Sequence, residues 1–93
     1  MIYVVATTQV KPESRDAFIK GAKDCIAATR KEKGCLSYES HTSINDPNLF
    51  VVVERWASME ALQAHAVAPH MKAYGAKVKE FTANRAIHVL QAA

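Results

Sequence analysis

The sequence predicts an α+β fold in which strands and helices alternate as βαββαβ. Three observations lead there. Four segments of strand length are rich in β-branched and apolar residues. Two other segments repeat apolar residues at helical spacing. The clearest turn signals, Gly34 and Asn45-Asp46-Pro47-Asn48, fall between these segments.

Residues 2–10 form the first strand, an apolar run of alternating Val, Ala and Thr. Pro12 suits the first turn of a helix, and Glu13 and Asp16 complement its positive end. Phe18, Ile19, Ala22, Cys25, Ile26 and Thr29 then recur on one helical face. Arg30, Lys31 and Lys33 form a basic last turn, and Gly34 is expected to close the helix. Residues 35–43 and 49–57 form the second and third strands. Ser58 can cap a short helix over 59–66. Pro69 interrupts it, and Met71, Tyr74, Val78 and Phe81 form a new helical stripe. Residues 85–91 form the last strand.

This order is the ferredoxin-like signature. Right-handed split crossovers give an antiparallel sheet of order 4-1-3-2 with the helices on one face. The opposite face should then be polar. In strand 1, however, Ile2, Val4 and Ala6 oppose Tyr3, Val5 and Thr7, and in strand 3 Phe50, Val52 and Trp56 oppose Leu49, Val51 and Val53. Both faces are apolar, so the uncovered one is expected to pack on a second copy of the chain as a homodimer.

A length of 93 residues allows one domain, residues 1–93. Hydrophobic residues make up 49% and charged residues 23% of the chain, which is a globular balance. No apolar run approaches membrane-spanning length, so no membrane partner is expected. The N-terminal apolar run has no basic region before it and reads as a strand rather than a signal peptide. The net charge of +3 is spread over helix surfaces without interleaved exposed aromatics, so no nucleic-acid partner is expected. Cys25 and Cys35 show no metal or redox spacing and read as reduced thiols of a cytoplasmic protein.

Chemistry concentrates between Glu54 and Tyr74, where an acid, an indole, two imidazoles and a phenol fall in an otherwise apolar stretch. The helix starting at Ser58 crosses the sheet directly after Trp56, and His65 lies about 10 Å along it. Trp56, His65 and Tyr74 are therefore expected to line one cavity, with Glu54 near its base. His65 is the candidate general acid or base; the alternative is a buried histidine satisfied by Glu54 or a carbonyl. A buried Glu54 orients His65 or pairs with Arg55, Arg85 or a helix N-terminus. Trp56 can be core and still stack on an aromatic ligand. His70 stands at the pocket mouth or at an exposed helix start, and Tyr74 is core with its hydroxyl free. His41 and His88 have no assigned role. His65 and His70 lie roughly 140° apart on an ideal helix, so they share no ligand face and no metal site is expected. The isolated glycines form no phosphate loop.

The segment Glu54-x-Trp56-x-Ser58-x-x-Ala61-Leu62-x-x-His65, followed by Pro69-His70-Met71-Lys72-Ala73-Tyr74, resembles the antibiotic biosynthesis monooxygenase family. It is most similar to the bacterial branch described as quinol monooxygenases. Gly34-Cys35 leading into Tyr38 is similar too. The resemblance implies a dimeric α/β barrel, a pocket between sheet and helices, and oxygenation of a quinol or polyphenol without flavin, haem or metal. It implies His65 and Glu54 as catalytic residues and Trp56, His70 and Tyr74 as substrate-binding residues. The antibiotic-oxidising members pair the strand-3 Trp with an Asn where this chain has Val52. Haem-degrading relatives carry a Trp where this chain has His65, and no His occurs near Tyr74 and Gly75 to bind haem. The expected substrate is therefore a small quinone-like aromatic rather than a polyketide or haem. Two other functions fit the same residues: an isomerase or tautomerase of a small oxygenated metabolite, and a non-catalytic binding barrel of a stress response.

Overall fold

A computed structural model describes residues 1–93. Its elements are β1 (Ile2–Val10), α1 (Arg15–Arg30), β2 (Cys35–Thr42), β3 (Leu49–Trp56), α2 (Met59–Ala66), α3 (Pro69–Phe81) and β4 (Thr82–Leu90). The four strands form one antiparallel sheet of order β2-β3-β1-β4, the expected ferredoxin-like arrangement. Three boundaries differ from the sequence reading by more than one residue. A single 3-10 turn over Pro12–Ser14 precedes α1. The first helix ends at Arg30, well before Gly34. The last strand starts at Thr82, directly from the end of α3.

Strand alternation decides which side chains meet the helices. Val4, Ala6, Thr8 and Val10 of β1 are buried, as are Phe50, Glu54 and Trp56 of β3. One core cluster joins Val10 and Phe50 to Phe18 of α1 and Val78 of α3, with the Phe18 and Phe50 rings 4.6 Å apart. A second joins Val4, Tyr38 and Trp56, with Ile26, Ala61 and Leu62 packed against it. The other sheet face carries Tyr3, Val5, Leu49 and Val51, all half-buried, and Val53, which is 39% exposed. It is apolar, as the sequence predicts, and no element of this chain covers it.

The turn between α1 and β2 is tighter than a helix cap. The Lys31 N–H donates to the Ala28 and Thr29 carbonyls. Glu32 N–H then donates to the Thr29 carbonyl, and Cys35 N–H to that of Glu32. Gly34 closes this second turn at φ +86°, in the left-handed region that side chains disfavour. It also lies against α2: a Cβ at Gly34 would stand 2.5 Å from the Ala61 Cβ. The Gly34 carbonyl accepts from Ala57 N–H at 2.9 Å. In turn, the Ser58 hydroxyl caps α2 by accepting from Ala61 N–H at 3.2 Å.

Gly34→Ala should therefore combine a backbone penalty with a steric one. The expected loss is about 2–4 kcal/mol of unfolding free energy, measured in urea. An unchanged midpoint would show that the turn yields freely.

Candidate active site

His65 sits two turns into α2, on the face that α2 turns to the sheet. Its ring is buried, tilted over Trp56 at 4.6 Å and set edge-on to Tyr38 at 5.8 Å. Nδ1 lies 2.6 Å from Glu32 Oε2. The same oxygen lies 3.1 Å from His70 Nε2, which is also 3.3 Å from the Thr29 hydroxyl. One carboxylate thus joins two imidazoles.

This cluster corrects two expectations. The helical angle that separated His65 from His70 assumed one continuous helix. The chain instead leaves α2 at Ala66 and starts α3 at Pro69, a proline at the first helical position. The change of direction brings the two rings to 6.2 Å. Glu54 also does not orient His65. Its Oε1 accepts from Trp56 Nε1–H at 2.9 Å, and Glu32 takes the orienting position. Glu32 escaped the sequence reading because it lies between Lys31 and Lys33, in what reads as a solvated basic helix end. Its contact with His65 spans 33 residues, beyond any local periodicity.

Glu32, His65 and His70 are also donors of the type that binds metal ions, with their ligand atoms within 4.8 Å of one another. Ligand atoms around a tetrahedral ion with bonds of 2.0–2.1 Å stand about 3.3 Å apart. The 2.6 Å separation of Glu32 and His65 is that of a charge-assisted hydrogen bond.

A cavity of about 490 Å³ opens between the sheet and the α2–α3 layer. Val4, Val52, Leu62 and Met71 contribute apolar walls, and Ile87 and Val89 of β4 form the outer side. Its polar side chains are Thr8, Tyr38, Glu54, Gln63, His65 and Tyr74, with Arg85 the one cationic side chain. Every buried side-chain nitrogen and oxygen has a hydrogen-bond partner. His65 Nε2 has none within the chain, so it must reach accessible space, and the cavity is the space His65 borders. Two expected wall residues are elsewhere. Trp56 is fully buried behind His65 and does not line the cavity. Its indole is committed to Glu54 and to the His65 ring, so a ligand cannot stack on it directly. His70 faces a separate groove of about 190 Å³ between α1 and α3, with Asp24, Tyr74 and Lys77. Tyr74 borders both spaces.

Burial sets the protonation of the other groups. Desolvation pushes the Glu54 carboxyl up from its ordinary value, opposed by the Trp56 N–H and by His65. Burial pushes the Tyr74 phenol up to about 12 and Tyr38 further, so both remain neutral hydrogen-bond donors. Cys25 is raised by burial, and its S–H donates to Met71 Sδ at 3.4 Å, so it is not a reactive thiolate.

A raised carboxyl pKa makes ionisation costlier in the folded state than in the unfolded one. Glu54 should therefore begin to lower stability as pH rises through about 4.5, and its cost becomes constant above its folded pKa. Glu54→Gln keeps an acceptor for Trp56 and should lose that part of the pH slope. Urea titrations of both proteins across pH 4–8 test this; superimposable curves would mean the carboxyl is not strained by burial.

Residues 1–77 match the antibiotic biosynthesis monooxygenase family. The chain is 32% identical over 80 residues to a Bacillus subtilis protein named "Putative monooxygenase YcnE", covering 86% of this chain and 84% of the relative. It is 31% identical to the Escherichia coli protein "Probable quinol monooxygenase YgiN", covering 98% and 97%. The solved structure of Rv0793 from Mycobacterium tuberculosis superposes with a TM-score of 0.93 at 32% identity, over 99% of this chain and 94% of that one. Family match, relatives and superposed fold agree along nearly the whole length: the chain belongs to the antibiotic biosynthesis monooxygenase family and is an oxidoreductase of that kind.

Proposed function

We propose that the chain oxygenates a small quinol in the cavity beside His65, with His65 as general base. The observation that carries this reading is the division of labour on one imidazole. Nδ1 is held by Glu32 at 2.6 Å, while Nε2 is left without a partner on the wall of a largely apolar cavity. A carboxylate on Nδ1 fixes the tautomer with Nε2 free to accept, and it stabilises the imidazolium that results. The name of the YgiN relative supports a quinol as substrate.

In this scheme His65 Nε2 takes a hydroxyl proton, and the electron-rich quinolate reduces O₂. One oxygen atom joins the ring and the other leaves as water: quinol and O₂ give hydroxyquinone and water. The quinol is itself the reductant, so no flavin, haem or metal enters the balance. The apolar walls favour O₂ and an aromatic ring and exclude bulk water. Arg85, which makes no ion pair in the chain, is placed to attract the anion. Trp56 acts from behind, fixing the His65 ring and the Glu54 carboxylate.

Glu54 favours a second reading. A carboxyl with a raised pKa and an imidazole border the same cavity, which suits a tautomerase that moves a proton between two atoms of one substrate. That chemistry consumes no oxygen.

O₂ uptake with a panel of benzo- and naphthohydroquinones separates the two. Uptake is expected in the wild-type protein and should fall by about 10²-fold or more in His65→Ala. Equal turnover in the variant would remove His65 from the chemistry.

The open sheet face supports a homodimer as the working form. Only 13 of 93 residues are buried within one protomer, while Tyr3, Val5, Val51 and Val53 form an uncovered apolar surface. Pairing of two such faces should bury about 1,200 Å² or more in total. Light scattering at micromolar concentration should give a dimer, and Val53→Glu should give a monomer. A monomeric wild-type protein would overturn the assignment.

A further inference from the structure

Glu32 carries a second imidazole besides His65, that of His70 at 3.1 Å. Exposure rises in order along the trio: the side chains of His65, Glu32 and His70 are 5%, 17% and 26% exposed. The inner end borders the cavity. The outer end borders the groove between α1 and α3, on a different side of the helix layer. Two compartments are thus bridged by three titratable groups joined through a single oxygen.

One carboxylate balances one positive charge. Two imidazolium rings 6.2 Å apart repel each other. Among the other groups, Asp24 and Lys77 face the groove with opposite charges, and Cys25 and Tyr74 are held neutral by burial. Burial opposes ionisation of Glu54, and any charge on it favours a cation on His65 rather than on His70. Tyr38, against the His65 ring, is neutral as well. Thr29 can donate to His70 Nε2 or accept from it, so it accommodates either state of that ring.

We propose that His70 is the proton-exchange partner of His65. Glu32 holds one imidazolium at a time, so that a proton gained by His65 from the cavity is matched by one lost from His70 to the outer groove. This rests on the reading of His65 as the cavity base. Charge on the trio is conserved while the substrate proton is replaced by one delivered to water. No proton needs to leave through the cavity mouth, which the substrate occupies. His70 is a positioning and exchange residue, since it does not touch the cavity.

The test needs no turnover. The probe is 4-nitrophenol, whose phenolate is coloured, added at about pH 6 in weak buffer to protein with ¹⁵N-labelled histidine. In the wild-type protein the bound phenol should ionise and about one proton per bound phenolate should reach the bulk. The His65 ring signals should move to the charged form while those of His70 move to the neutral form. His70→Gln retains an N–H for Glu32 and should still ionise the phenol, with no proton released. Ionisation with wild-type release in His70→Gln, or with His70 signals unmoved in the wild-type protein, overturns the exchange role alone. Absence of ionisation in the wild-type protein, or full ionisation in His65→Gln, overturns the cavity-base reading and the exchange role with it. The NMR arm uses only wild-type protein, so a folding defect in the variant does not spare the proposal.

Discussion

The Glu32–His65 contact at the centre of the candidate site depends on how closely the turn after α1 approaches α2. Glu32 can reach an imidazole 33 positions later only because the backbone at Gly34 lies against Ala61 with no side chain between them. A positive φ at Gly34 supplies the direction, and the missing Cβ supplies the space. The contact of Ala57 N–H with the Gly34 carbonyl locks the same turn from the other side. A loop that would otherwise be solvated is thereby held as part of the site.

The second constraint is the polar pair buried with the apolar core. Glu54 and Trp56 lie on the helix side of a central strand, where a carboxylate is costly without partners. The indole N–H meets part of that cost, and its ring then serves as the surface on which His65 rests. Trp56 is thus a structural residue with a functional consequence. It fixes an acid and a base on the cavity wall without appearing there itself.

Most of the architecture was legible in the chain because it follows from local patterns. Alternation in β1 and β3, the Ser58 cap, the Pro69 break and the Phe18-to-Thr29 stripe each act over a few residues, and the sheet order follows from the handedness of the crossovers. His65 and Glu54 were legible as pocket residues for the same reason, being on elements whose inner faces the pattern defines. Glu32 was not, since its role comes from a turn folded across the chain rather than from any period. The meeting of His65 with His70 was hidden by treating two helices as one axis. Trp56 was placed on the right face but at the wrong depth: alternation reports the side of a sheet, and only packing reports whether a ring ends at a cavity or behind it.

The outer cavity wall belongs to the edge strand β4, through Ile87 and Val89, both about half exposed. The family match ends at residue 77, before that strand begins. Glu32, His65 and His70 lie within the matched region, and this edge of the wall lies outside it. Part of the cavity wall therefore stands apart in sequence from the carboxylate and the two imidazoles. A substitution at Ile87 or Val89 changes the shape of the cavity at the sheet edge while Glu32, His65 and His70 keep their contacts.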